Sequence, residues 1–380
     1  MKTLLIIILS LFSFFVNGQV IEIKSTSNSV AGGVIRIGRN TANSGFTFTS
    51  YNVSSDGSAW EDVGIEIILS GSQIDVDYIL QKRSGVNFIN KDTLTGTGSA
   101  LSFGNYDSTG TYKIRAYTET QDSLMNDSAV IAIRYYATAA KTLFARMTTQ
   151  PSNVRKQLYS LTIDSLNTYG IWTKAKILYF TAAGNRQISL LNWISTSFNL
   201  DTISSLTYTK DVGWAGNGTD SYLNTGFKDL TNGLATNNST WAIWMASAGT
   251  NSSTKHAFGT RKTTSGIDLV ALVNNSSTSA RATFFSDSLQ YNKADYAGYL
   301  GLFAVSSFTL TNDSIYWLYN GGILTRAKRT TRGKIANDYN IYLSCNDVYG
   351  TASNFQTAQI SFFMRGLSLT EQNKVNFILL

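Results

Sequence analysis

One cysteine (Cys345), one histidine (His256) and one proline (Pro151) occur in 380 residues. A single thiol excludes an internal disulfide framework, so stability has to come from packing. Zinc sites need several Cys and His ligands, and one of each cannot supply them. Glutamate is nearly as scarce, at Glu22, Glu61, Glu66, Glu119 and Glu371. Charged residues are 14% of the chain, and the net charge of +7 is spread rather than massed. No dense Lys/Arg tract with interleaved aromatics is present, which argues against a nucleic-acid partner. No run after the N-terminus approaches the roughly 20 apolar residues of a membrane helix.

What the chain holds in quantity is glycine (30), tyrosine (20) and phenylalanine (20), with abundant Ser, Thr and Asn. Short strands joined by turns suit that mixture, and an all-β chain is expected. At the N-terminus, Lys2 precedes an apolar run from Leu4 to Val16 and the small residues Asn17-Gly18. That pattern is expected to be a secretory signal over 1–18, directing the remainder to the cell surface, the medium or a virion surface.

Residues 19–137 read as one β-sandwich. Val20-Ile21-Glu22-Ile23-Lys24, Phe46-Thr47-Phe48-Thr49, Tyr78-Ile79-Leu80-Gln81 and Thr111-Tyr112-Lys113-Ile114-Arg115-Ala116-Tyr117 alternate in polarity between turn residues. The stretch from Gly96 to Tyr112, with Asp107, Gly110 and Tyr112 in an Asp-x-x-Gly-x-Tyr pattern, resembles immunoglobulin-like repeats of secreted Bacteroidota surface proteins. The resemblance implies a disulfide-free sandwich, a tyrosine corner at Tyr112 and a spacer role.

Residues 138–190 read as a helical connector. Val154, Leu158, Leu161 and Ser165, flanked by Tyr159, Ile163 and Leu166, recur at helical spacing; Pro151 suits a first helical position and Gly170 a stop. Ile177-Leu178-Tyr179-Phe180 is a candidate buried strand. The span from Arg146 to Phe227 includes Ile171-Trp172, Leu190-Leu191-Asn192-Trp193 and Gly213-Trp214-Ala215-Gly216-Asn217-Gly218. It resembles a segment preceding lectin-like domains in proteins of tailed bacteriophages and prophages, which implies a phage or prophage carrier.

Residues 191–380 read as a second sandwich. Trp241-Ala242-Ile243-Trp244-Met245 suits a strand buried on both faces, and Ile315–Tyr319 leads into Asn320-Gly321, a hairpin turn. Ser368-x-x-Glu371 is a capping box for a terminal helix that would dock Val375, Ile378 and Leu379. Ser221-Tyr222-Leu223-Asn224-Thr225-Gly226-Phe227, Trp317-Leu318-Tyr319-Asn320-Gly321 and Phe362-Phe363-Met364-Arg365-Gly366-Leu367-Ser368 resemble laminin-G/concanavalin-A-like lectin domains. The resemblance implies a jelly-roll sandwich that binds glycan or protein at a surface, with Ca²⁺ as a possible ligand of Asp220, Asn346 and Asp347. The same three residues also suit plain turn formation.

Glycoside hydrolysis uses two carboxyl groups across the scissile bond. The lectin-like region has one glutamate, Glu371, which the capping box explains, and its aspartates show no pair on one strand face. No catalytic residue is therefore expected, and the chain is not expected to be an enzyme. His256 reads as a solvated or capping residue and Cys345 as a small packed one. Sugar binding uses an exposed ring with amides or carboxylates beside it. Trp214 and Tyr349 lie in Gly/Asn/Asp-rich stretches and are the candidate rings, with Asn346 and Asp347 beside Tyr349; Trp241, Trp244 and Trp317 are expected in the core. Arg326, Lys328, Thr330, Arg332 and Lys334 alternate with period two, and could form a cationic stripe for an acidic polysaccharide or a solvated sheet face. The expected function is non-catalytic binding of a cell-surface polysaccharide. A structural or protein-binding module without a sugar site and a lectin-fold hydrolase with an Asp–Asp site are the alternatives.

Overall fold

The computed structural model describes residues 47–54, 57–119, 121–124, 128–234, 238–247, 249, 255–261, 270–276, 279–284, 291–293, 300–307, 314–319, 322–328 and 338–370. The expected leader, the strand at 20–24, the Asn320-Gly321 turn, Thr330, Arg332, Lys334 and the helix following Glu371 lie outside these residues. The chain is all-β apart from short helices and divides into two compact units. One runs up to Lys141 and takes in Ser152–Ser160; the other comprises Thr142–Pro151 and the chain from Leu161 onward.

The N-terminal unit is a two-sheet sandwich. Its strands are β1 (Val53–Ser54), β2 (Gly57–Trp60), β3 (Ile65–Leu69), β4 (Asp77–Ser84), β5 (Asn87–Thr95), β6 (Leu101–Tyr106), β7 (Gly110–Tyr117), β8 (Asp122–Leu124) and β9 (Ala129–Arg134). One sheet has the order β1-β3-β6, the other β2-β9-β7-β4-β5 with β8 beside β7. β2 runs parallel to β9, so the chain switches sheets after β1, as in immunoglobulin-type sandwiches. Period two decides what faces inward: on β7 Tyr112, Ile114 and Ala116 are buried, and on β9 Ala129, Ile131 and Ile133. They meet Ile67, Leu69, Tyr78, Leu80 and Phe103 in one apolar core. The Tyr112 hydroxyl donates to the Ser108 carbonyl at 2.8 Å, pinning the approach to β7 to the strand itself. This is the corner geometry expected at that tyrosine.

Helix α1 spans Thr138–Phe144 and α2 Asn153–Thr168. Pro151 precedes α2 by two residues instead of occupying its first turn, and Gly170 stops the helix at φ 67°. The buried stripe is Tyr159, Ile163 and Leu166, while Val154 is 63% exposed. The helical period was therefore readable, but the inward face belongs to the residues expected to flank the stripe.

The C-terminal unit is a larger sandwich. Its elements are β10 (Ala175–Phe180), α3 (Arg186–Ser189), β11 (Asp201–Ile203), β12 (Thr207–Thr209), β13 (Gly213–Ala215), β14 (Tyr222–Lys228), β15 (Thr240–Ser247), β16 (Lys255–Arg261), β17 (Val270–Ser276), β18 (Ser279–Phe284), β19 (Tyr291–Lys293), β20 (Gly301–Ser307), β21 (Ser314–Tyr319), β22 (Gly322–Lys328), β23 (Asn340–Leu343), β24 (Asn346–Val348), β25 (Thr351–Ser353) and β26 (Gln359–Gly366). The first sheet runs β12-β13-β26-β15-β20-β21-β22, with β10 also on β26. The second runs β11-β14-β23-β16-β17-β18-β19, with the β24–β25 hairpin attached to β16. Because β10 pairs with β26 from Ala175↔Gly366 to Phe180↔Phe362, the sandwich starts inside the stretch expected to be a connector.

β26 carries the Phe-Phe-Met-Arg-Gly motif and lies centrally, bonded to β15 on one edge and to β10 and β13 on the other. That position buries both of its faces and explains its lack of alternation. Phe363, Trp241 and Phe258 pack between the sheets, Phe258 lying 4.7 Å from Trp241 and 5.0 Å from Phe363 between ring centres. Each such side chain contributes about 1.5–3 kcal/mol by leaving water. At one end of this core Arg365, fully buried, donates to both carboxylate oxygens of Asp229 at 3.0 and 2.5 Å and to the Thr240 carbonyl at 3.0 Å. The paired geometry satisfies a charge that would otherwise be very costly to bury.

Candidate functional site

Among the described residues of the C-terminal unit, the most exposed aromatic is Tyr349, at 46%. It sits at the tip of the β24–β25 hairpin, where Val348↔Thr351 is the last pair and Tyr349-Gly350 is the two-residue turn. Both turn residues have positive φ, 57° at Tyr349 and 82° at Gly350, as a type I′ turn requires. Gly350 accepts this freely; a tyrosine there costs about 1–2 kcal/mol, and Asn or Gly would be the unstrained choice. The hairpin is held open at this angle from below. Asp347 Oδ1 accepts from the Gly350 amide at 2.7 Å, and the Tyr349 amide donates to the Arg261 carbonyl at 3.3 Å. The ring of Tyr339, just before β23, lies against Gly350 and meets Tyr349 edge-to-face at 6.4 Å and 76°.

Polar groups surround this pair. Asp338 is exposed, and its carboxyl is held below the usual range chiefly by a hydrogen bond from the Thr231 hydroxyl, with the Thr231 amide and Lys228 adding to it. Asp347 is buried, at 1% exposure, and burial pushes its carboxyl above the ordinary aspartate value. The Gly350 and Asn340 amides, the Tyr342 hydroxyl and the charge of Lys228 work in the opposite direction. Burial likewise raises the Tyr342 hydroxyl to about 12, a hydrogen bond with Asn340 opposing and the charge of Asp347 reinforcing the shift. Tyr342 and Tyr222 pack with ring centres 4.6 Å apart, and Phe355 lies 6.2 Å from Tyr222.

The structure sorts the expected site residues sharply. Trp214 is fully buried and belongs to the core, so its reading as an exposed loop ring is overturned. Gly213, at φ 124°, presses the chain against β26, where a Cβ would come within 1.9 Å of the Ile360 carbonyl oxygen. That close approach sends the neighbouring indole inward, where Nε1 donates to Ser189 Oγ at 2.8 Å and the Arg186 guanidinium covers the ring at 4.9 Å. Asn346 and Asp347 are buried beneath the hairpin instead of lining its surface, and Tyr349 alone of the four has an accessible side chain. His256 lies in β16 at 6% exposure, which corrects the expectation of a solvated residue. Cys345 is buried, and its thiol is pushed up by that burial and by Asp347.

Of the residues suggested for calcium, Asp220 is occupied by a turn of its own. Both oxygens of Asp220 accept hydrogen bonds, from Asn217 Nδ2 at 2.6 Å and from Ser204 Oγ at 2.7 Å. Asn217 Oδ1 in turn caps the amides of Thr219, Asp220 and Ser221, so this is a self-contained turn. At Asp347, Oδ1 takes the Gly350 amide at 2.7 Å, while its Oδ2 and the side-chain amide of Asn346 are buried without a hydrogen-bond partner. Among the described residues no group of three or more His, Cys, Asp or Glu side chains is placed to hold a metal. Of the cationic stripe, Arg326 and Lys328 lie on β22, paired with Tyr316 and Ser314 of β21. Arg332 and Lys334 fall outside the described residues.

Sequence reading missed Tyr339, Tyr222, Tyr342 and Phe355. A signal existed for one of them: Tyr342 shares a face of β23 with Asn340, while Ile341 and Leu343 on the other face enter the core.

No family model and no curated protein sequence matches the chain. Among solved structures it is similar to domain 4 of AbnA, an extracellular arabinanase of Geobacillus stearothermophilus, in complex with arabinotriose, with 13% identity, TM-score 0.39, and coverage of 55% of this chain and 98% of that one. It is also similar to the botulinum neurotoxin serotype D binding domain, with 11% identity, TM-score 0.37, and coverage of 55% of this chain and 52% of that one. A third is botulinum neurotoxin type C, whose cell entry is dependent upon interaction with two ganglioside molecules, with 9% identity, TM-score 0.38, and coverage of 56% and 52%. The chain thus spans about half the length of the toxin structures it matches.

Proposed function

We propose that the C-terminal unit is a non-catalytic carbohydrate-binding module whose sugar platform is Tyr349, buttressed by Tyr339. One observation carries this reading: a half-exposed tyrosine ring is held in the left-handed region at a turn where a smaller residue would be more stable. Strain that burial does not repay is a mark of function. An exposed ring offers a face to the C–H groups of a pyranose, and Asp338 with Lys228 supplies an acceptor and donors for its hydroxyls. Four of the described aspartates of this unit have structural partners. Asp229 holds Arg365, Asp220 closes its own turn, Asp347 anchors the hairpin and Asp338 is tied to Thr231. The N-terminal sandwich then serves as a spacer. The leader over 1–18 points to export and display at a cell surface, and the resemblance of 146–227 adds a prophage-derived origin.

Glycan-array screening of the full chain tests this reading, followed by titration of the best binder. Tyr349→Ala is expected to weaken binding at least tenfold, about 1.4 kcal/mol, while leaving the thermal melt in place. Binding to no glycan, or equal binding by the variant, would overturn the assignment.

A further inference from the structure

We infer that the module has a second aromatic subsite, formed by Tyr222 resting on Tyr342 with Phe355 beside it, and that its ligand is therefore an internal stretch of a linear polysaccharide. The inference rests on the reading of Tyr349 as a sugar platform and extends it along β23.

Geometry connects the two places. Asp338 stands just before β23, and Asn340 and Tyr342 follow on one face of it. Four residues of extended chain carry this line roughly 13 Å, farther than a single sugar ring reaches. Tyr222 and Phe355 are half-buried and Tyr342 is buried, so the partly open Tyr222 ring rests on a fixed one and Phe355 flanks it. Tyr222 lies 4.6 Å from Tyr342 at an interplanar angle of 44°, and Phe355 lies 6.2 Å from Tyr222 at 45°. Side-chain amides flank the rings. Asn224 pairs directly with Tyr342 across β14 and β23, and Asn340 hydrogen-bonds the Tyr342 hydroxyl. Opposite Tyr342 on the other neighbouring strand stands Gly259, which adds no side chain over the ring.

Asp347 ties this subsite to the first. Its carboxyl accepts the Gly350 amide of the Tyr349 turn and is also approached by the Asn340 amide and the Tyr342 hydroxyl. One buried group thus sets the position of both aromatic sets. Rings with amides between them suit a chain of neutral sugars, stacked at intervals and hydrogen-bonded between the stacks. Rigid buried supports keep the ordering cost of such a site low.

The test uses the full chain and oligomers of one to six units prepared from the linear neutral polysaccharide that it retains most strongly in affinity electrophoresis. Wild-type affinity is expected to rise with length to at least three units. Tyr222→Ala should lower affinity for the long oligomers at least tenfold while leaving that for the shortest unchanged, and Tyr222→Phe should restore it. Phe355→Ala provides an independent variant on a different segment, expected to flatten the length dependence in the same way. If neither alanine variant alters the length dependence while Tyr349→Ala still abolishes binding, the second subsite is wrong and the platform stands. If no polysaccharide is retained and Tyr349→Ala changes nothing, both fall.

Discussion

Trp214 and Tyr349 occupy nearly interchangeable settings in the sequence, one in Gly-Trp-Ala-Gly-Asn and the other in Asn-Asp-Val-Tyr-Gly. Their fates are opposite, 0% exposed against 46%. Composition of the flanking loop does not decide this; the neighbours in space do. Gly213 lets β13 approach β26 so closely that the next side chain has the sandwich interior before it. Gly350 instead completes a tight turn beyond the end of β24, where the chain has left the sheet and the ring has solvent on one side. A glycine beside an aromatic can therefore mean close packing or a free turn. The distinction lies in whether a strand runs alongside.

Three variants sharpen that contrast. The largest effect is expected from Trp214→Ala, which removes a core ring and its hydrogen bond to Ser189 Oγ, for a loss of about 3–5 kcal/mol in urea-induced unfolding. A loss below about 1 kcal/mol would mean that the indole is not part of the core. Next comes Tyr349→Gly, which relieves left-handed strain and should raise stability by up to about 1 kcal/mol while sugar binding is lost. If this variant unfolds more easily than the wild type, the ring is structural and the contrast with Trp214 collapses.

The smallest effect concerns Asp347, which holds the turn from beneath. Its folded-state carboxyl is raised, so its contribution to stability is full below the ordinary aspartate value, near 3.9, and is lost as pH rises through the folded value. Asp347→Asn keeps an acceptor for the Gly350 amide and removes the titration. Thermal melts should show the variant gaining on the wild type as pH increases upward from about 4. A constant difference across that range would show that burial does not burden this carboxylate.

Much of the architecture was legible. Alternation over residues 111–117 signalled the strand β7, and the poor alternation of residues 241–245 signalled one covered on both faces, as β15 is. The limits were also physical. The stripe on α2 was placed one face over because Val154 and Tyr159 both satisfy helical spacing, and packing alone chooses between them. His256 looked solvated from its polar neighbours, yet pairing of β16 with β17 and β23 draws it inside. At the site, Tyr349 could be picked from the turn chemistry around it. Tyr222, Tyr339 and Phe355 could not, since they are separated by up to about 130 positions and meet only through strand pairing.

By itself the sequence determined the all-β class, the lack of a disulfide framework and the scarcity of acid–base groups, because these follow from composition and from a local period of two. The tertiary structure alone decided which aromatics are core and which form a surface, because burial depends on the strand that runs alongside. It also decided that Asp229 spends its charge on Arg365 and Asp347 on a turn, leaving Tyr349 with an open ring face.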